Sequence, residues 1–227
     1  MSAEVDLLAG LAIGAIALDG LRFFDERRKL LLAAVPLTLA LHQLVEVGAW
    51  WGLQGKVPEA AGTISIYAYL VIALVVVPVI VPTGVFVAEP DPLRRRWMAP
   101  FVGLGILTAL VLAVSLVLRP VSATLGSYAI DYHIATVGPD WGSVVYLAVV
   151  AIPMLLSSRR VLVSLGVANL ALVAGIGWLN ANGYISLWCA AAALQGVVIV
   201  HMLRSEAGKP WGWPAWSESL RTRPRSG

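Results

Sequence analysis

The chain has 227 residues, of which 59% are apolar and only 13% are charged, and its mean hydropathy is +0.83. A soluble domain carries about 25% charged residues, so the composition excludes an ordinary soluble protein. The net charge of +3 requires no nucleic-acid partner, because membrane orientation and contact with inner-leaflet lipids account for it.

Apolar segments that approach or exceed the ~20 residues needed to cross the hydrocarbon core recur along the chain. We expect these segments to be helices, because lipid offers no partner to an unpaired backbone group. The predicted fold class is therefore all-α, with seven transmembrane helices near residues 5–23, 30–53, 63–88, 97–119, 141–157, 161–180 and 184–204.

The loops predict the orientation, because Lys and Arg accumulate on the cytoplasmic side of membrane proteins. Of the 16 Lys and Arg residues, all but Lys56 and Arg119 fall on one side of a seven-helix arrangement. This distribution predicts a multi-pass protein of the cell membrane with its N-terminus outside and its C-terminus in the cytoplasm. We expect one transmembrane domain, residues 1–204, and a cytoplasmic tail rich in Trp and Arg, residues 205–227.

Glycine and proline predict local features of three segments. Gly10 and Gly14 give the first helix a GxxxG spacing, which permits a neighbouring helix to approach closely. Pro78 and Pro82 predict a kink in the inner half of the third helix. The outer connection 119–140 is largely apolar, and we expect it to fold back over the bundle as a lid or a short helix.

Residues 41–51, LHQLVEVGAWW, place ionisable side chains inside the second helix, where they are costly and indicate function. His42 and Glu46 are four residues apart and therefore share one helix face, with Gln43 beside them. The pair could share a proton or bind a metal. Alternatively, it could bond to polar groups on other helices and only hold the bundle together.

Other polar groups fall at the two ends of the predicted bundle. Asp131, Tyr132 and His133 lie at the outer face and could meet Glu46, or they could belong to a solvated loop. Asp19 falls near the cytoplasmic end, where pairing with inner-face arginines would explain it. No cofactor or metal is predicted, because zinc signatures and a lysine in the last helix are both missing from the sequence.

The stretches ALHQLVEVGAWW, PVIVPTGVFVAEP and SYAIDYHI resemble a family of small bacterial membrane proteins of unassigned function, best represented in actinobacteria. The likeness covers most of residues 5–135. More distantly, seven small helices with an acid in the second resemble the integral-membrane terpene cyclases of meroterpenoid pathways. Those enzymes use membrane carboxyl groups to protonate an olefin or epoxide. The resemblance implies that Glu46 is the first acid and that Asp131 is the nearest candidate for the second.

Three hypotheses for function remain open. In the first, the protein is a terpene cyclase acting on a prenyl or epoxyprenyl chain, with Glu46 as the acid, Asp131 as a second acid or base and His42 setting the protonation of Glu46. The residues expected to line its substrate-binding cavity are Trp50, Trp51, Tyr132, His133 and Gln43. In the second, the protein is not an enzyme, and His42 and Glu46 bind a small ligand or relay protons. In the third, His42, Glu46, Asp131 and His133 form a metal-dependent lipid hydrolase. The partners expected are a lipid-like or isoprenoid substrate and membrane lipids. The oligomeric state stays open.

Overall fold

A computed structural model of the chain describes residues 2–21, 27–126, 128–135, 142–178 and 184–208. Most of the described residues are helical. The helices are α1 (Ala3–Leu21), α2 (Leu30–Leu53), α3 (Glu59–Val71), α4 (Val77–Ala88), α5 (Pro92–Leu118), α6 (Gly142–Leu156), α7 (Arg160–Trp178) and α8 (Tyr184–Glu206). A π-helical turn, Ile72–Val76, joins α3 and α4 into one continuous helix, so the described residues form seven helices, the number expected. The tail residues 209–227 lie outside the described part of the chain.

Length and composition support a membrane protein. Four of the described helices are long and apolar enough to cross a membrane, and they are Leu30–Leu53, Glu59–Ala88, Pro92–Leu118 and Ile185–Glu206. Gly142–Leu156 and Arg160–Ile176 are apolar but shorter. Helix α5 is the least buried of the four, since large apolar side chains such as Leu107 and Val117 face outward.

The fold is not purely α-helical, which corrects the all-α prediction, and the connection 119–140 contains strands instead of the short helix that was one of its two expected forms. Strands β1 (Val121–Leu125) and β2 (Ile130–Ile134) pair as an antiparallel hairpin, with Val121 opposite Ile134. The strands form because apolar residues alternate along β2, a period of two that suits one buried face. Ile130 and Tyr132 accordingly pack on helices, in contact with apolar residues of α2 and α3.

Helix α5 begins at Pro92, five residues before its predicted start at residue 97. Asp91 explains the earlier start, because its side chain accepts hydrogen bonds from the backbone N–H groups of Leu93 and Arg94. Proline is also well suited to the first turn of a helix, where its missing N–H is not needed. The basic residues 94–96 therefore belong to a helix and not to a turn.

The irregularity expected at Pro78 and Pro82 lies one turn earlier, in the π-helical segment. Pro78 has no N–H to bond the carbonyl of Leu74 four residues before it, so the regular α-helical pattern cannot run through this turn. The chain adapts by widening the turn and remains a continuous helix. The segment directly follows Tyr69 and Leu70, which are both fully buried.

Close approaches of α2 to its neighbours set the geometry at the end of the bundle that holds Gly52 and Gly62. At Gly52 and Gly62, α2 and α3 cross backbone to backbone, and a Cβ on either glycine would overlap the other's Cα. Gly10 of the GxxxG pair packs on Leu44, since a Cβ there would lie 2.7 Å from Leu44 Cδ2. The small residues therefore serve packing within the chain, and they hold α1, α2 and α3 close together.

A polar network fastens the opposite end of the bundle. The buried carboxylate of Glu89 accepts hydrogen bonds from Ser157 Oγ and from the backbone N–H of Ser158, both at 2.9 Å, and from the N–H of Asp91 at 3.2 Å. Burial alone would raise the pKa of Glu89, but these bonds outweigh it and hold the pKa below its ordinary value. The loop after α4 is thereby tied to the loop between α6 and α7.

Ion pairs extend this network to the ends of other helices. Glu206 contacts Arg159 at 2.8 Å and Lys29 at 3.0 Å, which links α8 to the starts of α7 and α2. Arg204 pairs with Asp19, so the expected pairing of Asp19 with an arginine is confirmed. The ends of α1, α2, α7 and α8 therefore meet in one charged layer at this end.

Candidate functional site

One face of α2 carries the polar side chains of the site. At about 100° of rotation per residue, His42, Gln43, Glu46 and Trp50 span an arc of about 100°. His42 and Glu46 are 0% exposed and Gln43 is 1% exposed, although the helix is otherwise apolar. The face is turned into the bundle and away from lipid, as a functional intramembrane acid would require.

Three aromatic rings from three elements stack beside Glu46. The His42 ring lies on the Tyr69 ring with 3.8 Å between centroids, and Tyr69 lies on Tyr132 of β2 with 4.5 Å between centroids. His42 Nε2 is 3.2 Å from the backbone carbonyl oxygen of Tyr69. Because a carbonyl only accepts, Nε2 carries the proton and Nδ1 of the neutral ring is left as an acceptor.

Hydroxyl groups surround the carboxyl group of Glu46. The Tyr132 hydroxyl donates to Glu46 Oε1 at 3.4 Å. Burial and the neighbouring Glu46 carboxyl raise the pKa of Tyr132 well above its ordinary value, so the phenol keeps its proton and can donate. The hydroxyls of Tyr69 and Ser186, the latter from the first turn of α8, also lie near this carboxyl group.

A second carboxyl group reaches the cluster from α1. Asp6 is 0% exposed, and its Oδ2 accepts a hydrogen bond of 2.7 Å from the indole N–H of Trp50, one turn beyond Glu46 on α2. Asp6 is close enough to interact electrostatically with both Glu46 and Tyr132. The site therefore contains two buried carboxyl groups, from α1 and α2.

Many polar atoms of the cluster have no hydrogen-bond partner among the described residues. They are Asp6 Oδ1, His42 Nδ1, Glu46 Oε2, Tyr69 OH, Ser186 Oγ and both amide atoms of Gln43. An unsatisfied buried polar group costs about 1–3 kcal/mol, so side chains that only held helices together would be paired with each other. These atoms can take hydrogen bonds from water, from a ligand or, after small rotations, from one another, as the atoms of a binding or reaction site do.

Three predicted site residues lie outside this cluster. Asp131 and His133 alternate with Tyr132 along β2 and therefore point to the opposite face of the hairpin, where His133 is exposed. The Asp131 carboxyl group packs over Gly126, with Oδ2 2.9 Å from where a Cβ would stand. Trp51 is 37% exposed on the far side of α2 from the arc. Within the described residues, no group of three or more His, Cys, Asp or Glu could hold a metal ion.

The structure adds residues that sequence reasoning did not single out as site residues. Tyr69 is 0% exposed at the centre of the stack, whereas its neighbour Tyr67, two positions away, is 38% exposed. Ser186 and Asp6 come from helices far from α2 in the sequence. For Asp6, an acid at the start of an apolar helix was the available signal. For Ser186 we find none.

The expectation of a family without an assigned function agrees with comparison of the sequence to known families. A comparison with curated proteins found no match, and a comparison with solved structures found none either. The sequence matches the model of the family described as "Family of unknown function (DUF6629)" over residues 1–212, which is nearly its whole length. The chain therefore belongs to the family of unknown function DUF6629.

Proposed function

We propose that the chain is a multi-pass protein of the cell membrane with seven spans, an outside N-terminus and a cytoplasmic C-terminus. The charged layer supports this orientation, because Lys29, Arg94, Arg159 and Arg204 meet at one end of the bundle. Cytoplasmic ends are enriched in such residues. The acid cluster lies towards the opposite end, in the outer half of the bundle.

The proposed activity is that of an integral membrane terpene cyclase on a prenyl or epoxyprenyl chain. One observation carries it: Glu46 is fully buried, one of its oxygens is held by Tyr132, and Oε2 has no partner among the described residues. A carboxyl group in this setting can present a proton to a substrate carbon or oxygen. The rings of Tyr132 and Trp50 lie nearby, and aromatic faces stabilise a cation.

The reaction would begin when the proton on Glu46 adds to a terminal alkene carbon or epoxide oxygen. The carbocation so formed accepts the electron pair of the next double bond, and a carbon–carbon bond closes the ring. A base then removes a proton from the carbon next to the final cation, which leaves a product of the same mass. His42 Nδ1 and Asp6 Oδ1 belong to basic groups and have no partner in the described chain, so we assign the base to one of them.

Asp131, to which resemblance assigns the second acid, is replaced in this proposal by Asp6. Asp6 interacts with the Glu46 carboxyl group, whereas Asp131 lies on the outward face of the hairpin. Among the predicted lining residues, Trp50, Tyr132 and Gln43 retain that role. Trp51 and His133 are left out of it because they are exposed.

The test is turnover by the purified full chain in lipid nanodiscs. Prenyl and epoxyprenyl substrates are incubated with wild type and with Glu46→Gln, and isomeric products are separated by chromatography and mass spectrometry. We expect product from wild type and a loss of at least about 100-fold in Glu46→Gln, the lower range for removing a general acid. Glu59→Gln, at the exposed first residue of α3, is the matched control. Full turnover by Glu46→Gln would refute the proposal.

A second candidate function is proton relay without catalysis. The unpartnered atoms of His42, Tyr69 and Glu46 favour it, because they exchange protons and lie in one buried cluster where water can bridge them. Liposomes with the reconstituted chain and an internal pH dye would report proton movement after an external pH step. Acidification that depends on Glu46, without isomeric products, would establish this alternative over the cyclase.

A further inference from the structure

The unpartnered atoms of the site also determine which head group it can accept. Tyr69 and Ser186 have hydroxyl hydrogens, and both groups lie near the Glu46 carboxyl group, so small rotations turn these donors towards it. The acceptors that remain are His42 Nδ1, Gln43 Oε1 and Asp6 Oδ1. Apart from the proton on the Glu46 carboxyl group, only the Gln43 amide nitrogen remains as a donor among these atoms.

The charges of the site lead to the same conclusion. Two carboxyl groups, Asp6 and Glu46, lie within the cluster. Among the described residues no Lys or Arg forms an ion pair with either, although the N-terminal amine acts electrostatically on Asp6. The basic side chains that the structure does pair, such as Arg159 and Arg204, are in the charged layer at the other end of the bundle. A buried anion without a cation carries a large desolvation penalty, and adjacent carboxyl groups increase it.

We infer that the site binds a hydrogen-bond-donating, non-anionic head group, an alcohol or an ammonium, at the end of a lipid-like chain, and that it rejects phosphates and diphosphates. The inference rests on the proposed function only for the hydrocarbon chain. The head group follows from Gln43, His42 and Asp6, each of which is 99% buried or more and has an acceptor atom without a partner in the described chain. Each donated hydrogen bond satisfies one of these atoms.

Competition binding on the full chain tests the inference. A labelled prenyl alcohol is bound to the protein in nanodiscs of zwitterionic lipid and displaced by the unlabelled alcohol, by the matching amine and by the matching diphosphate. The hydrocarbon chain is constant, so only the head group varies. We expect the alcohol or the amine to displace the label at concentrations at least about tenfold lower than the diphosphate, since one satisfied buried group accounts for that factor.

The use of displacement restricts the measurement to the alcohol site. A diphosphate that binds only to the arginines of the charged layer leaves the label in place. If the amine binds more tightly than the alcohol, and this preference is lost in Asp6→Asn, the ligand is the ammonium. If the amine and the alcohol bind equally well, the ligand is the alcohol. Either result supports the inference. Displacement by the diphosphate as effective as by the alcohol, or no saturable binding of the alcohol, overturns it.

A matched pair of variants on α2 checks the assignment to side chains. Gln43→Leu preserves size but removes the amide, and it should weaken alcohol binding about tenfold. Gln54→Leu makes the same change at an exposed position just past α2 and should leave binding unchanged. If Gln43→Leu does not fold, the head-group series on wild type decides alone. Saturable alcohol binding without any cyclised product would refute the proposed cyclase activity and support the head-group inference. Cyclisation of a diphosphate without alcohol binding would support the cyclase and refute the head-group inference.

Discussion

The hydrogen bond between Trp50 and Asp6 offers the sharpest test of how the site is assembled, because it joins α1 to α2 through two buried groups. The Nε1–Oδ2 distance is 2.7 Å, Asp6 is 0% exposed and Trp50 is 5% exposed. We consider the single variants Trp50→Phe, which removes the donor, and Asp6→Leu, which removes the acceptor, together with the double variant.

The expected magnitude follows from the geometry. A hydrogen bond to a charged group contributes about 1.5–3 kcal/mol, and a partner left buried and unsatisfied has a further cost. Each single variant should therefore lower the free energy of unfolding by about 2–4 kcal/mol. The double variant replaces both partners with apolar groups, so it should lose about 1.5–3 kcal/mol less than the sum of the single losses.

Unfolding by sodium dodecyl sulfate in mixed micelles, followed by circular dichroism, measures all four proteins of this cycle. Its coupling term cancels the smaller size of phenylalanine, which affects both backgrounds equally. Losses for the two single variants that add up within about 0.5 kcal/mol in the double variant would mean that the groups do not interact. The assignment of Asp6 to the site of Glu46 would then have no basis.

Three further outcomes follow from the structure. Glu89→Gln should cost about 3 kcal/mol of stability, because the wild-type carboxylate accepts hydrogen bonds from Ser157 and Ser158 at 2.9 Å. The pKa of Glu89 in the folded state lies below its unfolded value of 4.5, so wild type should keep this contribution above pH 4.5 and lose it as the pH falls further. Unfolding measured across a pH series tests both statements. Gly52→Ala should destabilise by about 1–3 kcal/mol in the same unfolding assay, because its methyl group meets the Gly62 backbone. Tyr132→Phe should lose less than about 1 kcal/mol, because it gives up one long hydrogen bond of 3.4 Å and keeps the ring stack.

Each of these outcomes has a control or a contrary result. The control Gly175→Ala has open space around its new methyl group and should be neutral or stabilising. If Gly52→Ala is as stable as Gly175→Ala, the close crossing of α2 and α3 is contradicted. Stability of Glu89→Gln that falls with acid as steeply as that of wild type would assign the pH dependence to another carboxylate. A large loss in Tyr132→Phe would show that the hydroxyl, and not the ring, holds the hairpin down.

The helices and one face of the site were predictable because their signals are local. Apolar length marks a spanning helix, and the four-residue spacing of His42 and Glu46 fixes their common face whatever the rest of the chain does. The position of α5 was less accessible, since a run of arginines resembles a loop until the Asp91 cap is considered. The hairpin was missed because a period of two over five residues is hard to distinguish from an irregular apolar stretch.

Apart from Tyr132, the groups around Glu46 were not predictable, because they depend on how helices pack. Tyr67 and Tyr69 are the same residue type two positions apart on α3, about 200° apart around the helix axis, and only packing against α2 decides which is buried. From the sequence, Asp6 and Asp131 were both acids predicted near the same end of the bundle, and nothing in it distinguished them. Alternation along β2 turns Asp131 outward, whereas the contact of α1 with Trp50 brings Asp6 in.

The π-helical turn at Ile72–Val76 has a consequence for how this site is preserved. It encloses one residue more per hydrogen-bonded turn than an α-helix does, so α3 and α4 are rotated relative to each other compared with a regular α-helix. Deleting a single residue there would rotate the Tyr69 ring by about 100° around the axis of α3 relative to the rest of the bundle and separate it from the His42 ring. No residue of the cluster would have been replaced. Insertions and deletions within this turn can therefore abolish the aromatic stack as surely as a substitution of Glu46 can abolish the acid.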